Sequence, residues 1–164
     1  MITELTRELF KQFWPTFTAI AQAESTYAYD ADISFEQACY LWCELPYQSF
    51  AWVDAGQVLG IYYLKANAMG PGNHVCNCGY MVSEAARGRG IARQMCLHSQ
   101  QQALTAGFKA MQFNCVVSSN TVAVALWQKL GFEIVGTLPK AYRHQQLGLV
   151  DCLVMFKTLD HPLV

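Results

Sequence analysis

Charge is scarce in this sequence: Asp, Glu, Lys and Arg make up 14% of its 164 residues, and the net charge is -1. There is no long Lys/Arg cluster. A nucleic acid or other polyanion therefore has no surface to bind, and any phosphate must be held locally by a few residues and backbone amides. No apolar run reaches the length of a membrane span, and Met1-Ile2-Thr3-Glu4 lacks the basic and apolar regions of a signal peptide. No repeat, low-complexity tract or Pro/Gly/Ser linker interrupts the chain, so a single domain over 1–164 is expected. Seven cysteines are present but no C-x-x-C spacing repeats, which leads to an expectation of buried free thiols and a cytoplasmic, reducing location. His74, Cys76 and Cys78 would share one face of a strand. Structural zinc wants four ligands, usually from turns or two elements, so no metal is expected.

Apolar residues are plentiful, at 53%, and their periodicity outlines the elements. The first forty-odd residues read as helical: Leu9, Phe13, Phe17 and Ile20 recur every three to four positions, and Pro15 either kinks that helix or opens its second half. Residues 25–30 break the period with two aromatics, Tyr27 and Tyr29. Ser34 caps a second short helix that Pro46 ends. Two β-rich runs, 50–53 and 58–64, flank a turn. A strand over 74–82, a helix over 88–106, a strand over 110–117 and a helix capped by Ser119 or Asn120 follow. Strands at 133–136 and 149–157 close the chain, with a loop between them carrying Lys140, Tyr142, Arg143 and His144. The expected class is α/β with a mixed sheet.

The segment from Gly79 to Arg93 carries the chemistry: a strand, a turn rich in glycine and arginine, then a helix start. Small residues let backbone N–H groups approach an anion, the helix N-terminus favours negative charge, and Arg87 and Arg89 add countercharge. A nucleoside triphosphate would want G-x-x-x-x-G-K-[ST], which is missing. A dinucleotide would want a third glycine where Arg93 stands and an acidic residue after the next strand, which 114–119 does not supply. The pyrophosphate of coenzyme A remains.

Arg87-Gly88-Arg89-Gly90-Ile91-Ala92 resembles the R/Q-x-x-G-x-G/A signature of GCN5-related N-acetyltransferases, and it follows an apolar strand as in that family. Asn120, Ala123, Trp127 and Gly131-Phe132 resemble its next marker, and the closing strand 150–157 is similar as well. The likeness covers about half the chain, from 74 to 157. It implies the GNAT fold: N-terminal helices, then a mixed, mostly antiparallel sheet with a splayed central strand flanked by helices. It also implies acetyl-CoA as cosubstrate and a small-molecule amine as acceptor. A homodimer fits the same picture, since dimers are common among relatives. His74 to Gly79, Phe113-Asn114, Ser119-Asn120, Trp14-Pro15, Thr26-Tyr27 and Tyr63 to Asn67 further resemble acetyltransferases acting on proline analogues such as azetidine-2-carboxylate.

The resemblance implies that backbone groups of Tyr80 and Val82 pair with the pantetheine arm. Arg87, Gly88, Arg89, Gly90, Ile91 and Ala92 would hold the pyrophosphate, with Asn120 and Trp127 nearby. Asn77 and Asn114 would meet the substrate, and Tyr27 and Tyr29 would line its pocket. Each has a plainer reading: Asn77 and Asn114 as structural hydrogen bonders, Asn120 as a helix cap, Trp127 as core, the tyrosines as cover for the sheet. Many relatives place at the Trp127 position a Tyr that protonates the leaving thiolate, which indole cannot do. No acidic residue lies on 75–82, so no general base is named beyond His74, Tyr142 and His144 as candidates. Two other functions fit the same cradle, acylation of a protein or peptide N-terminus and non-catalytic CoA sensing.

Overall fold

The computed structural model describes residues 1–159. Its strands are β1 (Ile2–Glu4), β2 (Gln48–Asp54), β3 (Gln57–Ala66), β4 (Val75–Val82), β5 (Ala110–Val117), β6 (Glu133–His144) and β7 (Gly148–Thr158). They form one seven-stranded sheet in the order β1-β2-β3-β4-β5-β7-β6. Neighbours are antiparallel except β4 and β5, which run parallel. This is the mixed, mostly antiparallel sheet expected from the sequence.

Helices cover both faces. Helix α1 (Arg7–Ala23) starts at Thr6, whose hydroxyl accepts the Leu9 N–H. It runs unbroken through Pro15, which costs it one backbone hydrogen bond, and buries Phe10, Phe13, Phe17 and Ala21 at the spacing of one helical stripe. Helix α2 (Phe35–Cys39) opens on a capping box between Ser34 and Gln37 and continues as a single π turn over Tyr40–Glu44. Together they bury Trp42 and the α1 phenylalanines against Ala51, Ile61 and Met81. Strand side chains alternate between faces, so Tyr62 and Leu64 point the other way. There they meet α3 (Ile91–Thr105) and α4 (Thr121–Lys129), through Met95 on Tyr62 and through Cys96, Ala103 and Trp127 around Leu64 and Met111. The Lys157 ammonium donates to the Leu130 carbonyl just past the end of α4 and to Gln100 Oε1, satisfying a carbonyl the helix leaves free.

Three expectations change. The residues assigned to a loop before the last strand belong to β6, a twelve-residue edge strand. Most of it is exposed, so no apolar alternation announces it. Its register with β7 shifts between Leu138 and Tyr142, where Lys140 adopts φ 51° and its N–H donates to Asp151 Oδ1. The short β1, pairing with β2 at Ile2↔Trp52, precedes the helices. Not all cysteines are free thiols: Cys115 and Cys152 are disulfide-bonded, with Cα atoms 4.8 Å apart on the adjacent β5 and β7. A spacing of 37 residues gives no hint of that pairing. Cys39, Cys43, Cys76, Cys78 and Cys96 are free.

Candidate active site

Strand β4 is paired with β3 from Gly60↔Val82 to Ala66↔Cys76. With β5 it pairs only at Val75↔Ala110, Cys76↔Met111 and Asn77↔Gln112. Both strands continue, to Val82 and Val117, but they part. At the point of parting, β5 shifts register against β7 between Phe113 and Val116, and such irregularities bend a strand. In an antiparallel pair, main-chain groups turn alternately to the two sides. The Asn67 N–H to Val75 carbonyl bond and the Ser83 N–H to Leu59 carbonyl bond fix the odd-numbered residues of β4 as those bonded to β3. The main-chain groups of Tyr80 and Val82 therefore face the gap. One of them is engaged: the Tyr80 carbonyl accepts the Tyr27 hydroxyl at 2.6 Å.

The gap opens a cavity of about 330 Å³. Among its lining residues, Asn120, Ala123 and Trp127 come from the α4 side, while Tyr27, Tyr29, Tyr63 and Lys65 come from the α1 side. Asn77, Tyr80, Phe113, Asn114 and Cys115 lie between. Trp127 packs its ring on Tyr80 at 5.1 Å and Phe113 at 5.2 Å. Asn77 is held at both ends of its amide: Oδ1 accepts the Tyr63 hydroxyl at 3.1 Å, and Nδ2 donates to the Gln112 carbonyl at 2.9 Å. Asn114 Oδ1 accepts from Gln112 Nε2, and its Nδ2 donates to Asn67 Oδ1. Asn120 caps α4 through the Ala123 N–H at 3.4 Å, which leaves its amide nitrogen free. Burial pushes the Tyr27, Tyr63 and Tyr80 hydroxyls up in pKa, and Tyr29 to about 12, so these phenols are neutral at pH 7. Among the described residues the lining holds one cation, Lys65, and no Asp, Glu or His.

Past the end of β4 the chain reaches α3 through Gly88 at φ 77° and Gly90 at φ 74°. A side chain at either would meet nothing within 4 Å; the left-handed backbone is what demands glycine. Gly90 occupies the N-cap of α3 with no side chain to cap it, and the first turn carries no acid. The N–H groups of Ile91 and Ala92 are thus open to an anion. Arg87 is exposed. Arg89 is engaged: it pairs with Asp54 of the β2–β3 turn at 2.7 Å, a bond that holds the Asp54 carboxyl below its ordinary pKa.

The structure thus brings Tyr27, Tyr29, Asn77, Tyr80, Asn114, Asn120 and Trp127 to one cavity and places Val82 and residues 87–92 along the continuation of β4 into α3. It does not bring His74, Tyr142 or His144 to the lining. His74 is exposed before β4. Tyr142 is buried with its hydroxyl donating to the Tyr27 carbonyl, and His144 Nδ1 accepts the Gln146 and Leu147 N–H groups of the β6–β7 turn. Sequence reasoning did not name as site residues Tyr63 and Lys65, which line the cavity, or Gln112, whose carbonyl holds the Asn77 amide. Period two on β3 puts Tyr63 and Lys65 on one face, but only the register opposite Asn77 brings them to the cavity.

Residues 6–132 match the model of the acetyltransferase (GNAT) family, and the chain belongs to that family. A GCN5-related N-acetyltransferase from Kribbella flavida has the same fold at a TM-score of 0.92 and 42% identity, covering 97% of each chain. The N-acetyltransferase aca1 of Schizosaccharomyces pombe is 36% identical over 112 residues, 65% of this chain and 53% of its own. The chain therefore spans about half the length of that curated relative. The fold is shared more distantly by yncA of Salmonella typhimurium, solved with its cofactor acetyl-CoA, at a TM-score of 0.82 and 17% identity over 100% of this chain and 96% of that one.

Proposed function

We propose that the chain transfers the acetyl group of acetyl-CoA to the amine of a small molecule, an amino acid or proline analogue, by direct attack, acting as one cytoplasmic domain. The observation that carries this reading is the gap between β4 and β5, which leaves main-chain donors and acceptors of Tyr80 and Val82 facing a cavity open to both faces of the sheet. The uncapped, acid-free start of α3, with Gly88 and Gly90 in front of it, suits the pyrophosphate of the cosubstrate. Arg87 is the free countercharge there, while Arg89 braces the loop against Asp54. Asn120 and Trp127 flank the pantetheine arm. Tyr27, Tyr29, Asn77 and Asn114 surround the acceptor on the opposite face.

Bound in this way, acetyl-CoA supplies an acyl group already activated as a thioester. A main-chain N–H facing the gap stabilises the charge that grows on the carbonyl oxygen. An alkylamine of pKa about 10.4 is only about one part in a thousand neutral at pH 7. Among the described residues the lining has no carboxylate to stabilise the ammonium form and no imidazole to remove its proton, so the amine sheds its proton to water on entering this low-charge site. Trp127 does not ionise and leaves the departing thiolate to itself, which thiol acidity allows.

A closed strap favours a small acceptor over a peptide. Tyr27 and Tyr29 stack with centroids 5.7 Å apart. Their segment is pinned to the β6–β7 hairpin by the Tyr142 hydroxyl on the Tyr27 carbonyl and by the Gln145 N–H on the Glu24 carbonyl. The test is acetyl-CoA turnover followed by mass spectrometry over azetidine-2-carboxylate, proline, primary amino acids, polyamines and a short peptide. Acetylation of the amino or imino acids is expected. Acetylation of the peptide alone would sink the small-acceptor reading, and CoA binding without turnover of any amine would make the chain a sensor.

A further inference from the structure

Among the described residues, Lys65 is the one charged side chain that lines the acceptor end of the cavity. Lys65 stands on β3 opposite Asn77, half-buried, with its ammonium 5.1 Å from the centroid of the Tyr63 ring. It lines both the main cavity and an outer cleft shared with Tyr47, Asn67 and Asn114, so it stands where the two meet. The ion pairs among the described residues are Arg7–Glu36 and Arg89–Asp54; Lys65 has no carboxylate partner. The amide oxygens near it each already accept one hydrogen bond. Asn77 Oδ1 takes the Tyr63 hydroxyl, Asn114 Oδ1 takes Gln112 Nε2, and Asn67 Oδ1 takes Asn114 Nδ2. Asn77 and Asn114 each spend one N–H of two, and the second remains. What this end offers a ligand is a fixed positive charge and spare donors.

We infer that Lys65 is a specificity-determining residue whose ammonium receives a carboxylate on the acceptor, so that the substrate class is amines bearing a carboxylate. This rests on the acetyltransferase reading above and adds to it the group that selects the acceptor. The charge pattern also works against other amines. A polyamine would bring a second cation to a cavity that among the described residues holds Lys65 and no acid, and like charges at close range repel. A neutral carboxamide would leave the ammonium without its counter-ion.

The test compares kcat/KM for amino acids and their matching carboxamides in the natural chain, Lys65→Gln and Lys65→Arg. A charge-assisted contact predicts a preference for the carboxylate of roughly 10- to 100-fold. In Lys65→Gln the ratio falls toward one through KM for the carboxylate, while KM for acetyl-CoA, bound at the other end, does not move; Lys65→Arg retains part of the preference. A carboxylate preference that survives in Lys65→Gln overturns the inference, as does a preference of the natural chain for carboxamides or polyamines. Calorimetric titration of the amino acid into CoA-loaded protein reads the same site without turnover. Binding that depends on Lys65, with no acetylation of any amine, would support the carboxylate site while sinking the transferase reading. Absence of any carboxylate binding would overturn the inference itself.

Discussion

The two edges of β4 meet opposite fates. Toward β3 the strand is paired along its length, and the neighbouring face is sealed by Phe10, Phe13, Phe17 and Trp42, each fully buried. Toward β5 the pairing stops at Asn77↔Gln112, and the lining beyond is a mixture of amides, phenols and one lysine. The same eight residues thus serve as core on one side and line the candidate site on the other. A completed ladder uses up main-chain hydrogen bonds in holding the fold; an interrupted one leaves them for a ligand. The difference lies in the neighbour rather than in β4, because it is β5 that changes register.

Substitutions on the two sides should separate stability from activity. The largest effect on stability belongs to the sealed side: Phe17→Ala should cost about 3–5 kcal/mol, read as a lower urea midpoint, with the remaining folded protein still binding acetyl-CoA. Asn77→Ala, at the point where the strands part, leaves the Tyr63 hydroxyl and the Gln112 carbonyl without their partner. It should cost about 1–3 kcal/mol and also raise KM for the acceptor. Gly88→Val forces a left-handed backbone on a branched residue, at about 1–2 kcal/mol. An added Cβ there meets nothing within 4 Å, so backbone strain is the main cost, and steady-state kinetics should place the defect in KM for acetyl-CoA. The smallest effect near neutrality comes from pH. Burial raises the Tyr29 pKa to about 12 against about 10 in the unfolded chain, so the folded state keeps a proton that the unfolded state loses. Stability should therefore be unaffected by this group below about pH 10 and fall between about 10 and 12, with Tyr27 and Tyr63 acting in the same direction. Thermal melting followed from pH 9 upward checks this.

Much of the fold was legible because its signals are local. The Ser34 cap, the strand–glycine–helix run at 79–93 and the Asn120 cap all depend on residues close together in sequence. Edge strand β6 was illegible because exposure removes the alternation that marks a strand, and Pro139-Lys140 mimics a loop where the strand only bulges. In the site, the glycines and Asn77, Asn114 and Asn120 could be named from resemblance. The reach of Lys65 and Tyr63 into the cavity depends on the β3–β4 register, and the Cys115–Cys152 bond depends on two strands 37 residues apart. Neither is written in any local pattern. The candidate bases lie outside the cavity lining for a related reason: an imidazole or phenol carries no sign of which way its strand will turn it.

The most direct test is residue-resolved amide hydrogen exchange across β4, with and without acetyl-CoA. In the free protein the Tyr80 and Val82 amides, which face the gap, should exchange faster than those of Gly79 and Met81, which are bonded to β3. Adding acetyl-CoA should slow Tyr80 and Val82 by roughly tenfold or more, about the worth of one hydrogen bond, and leave Gly79 and Met81 as they were. Binding of acetyl-CoA that leaves the Tyr80 and Val82 amides unchanged would contradict the claim that the broken ladder is the cosubstrate site.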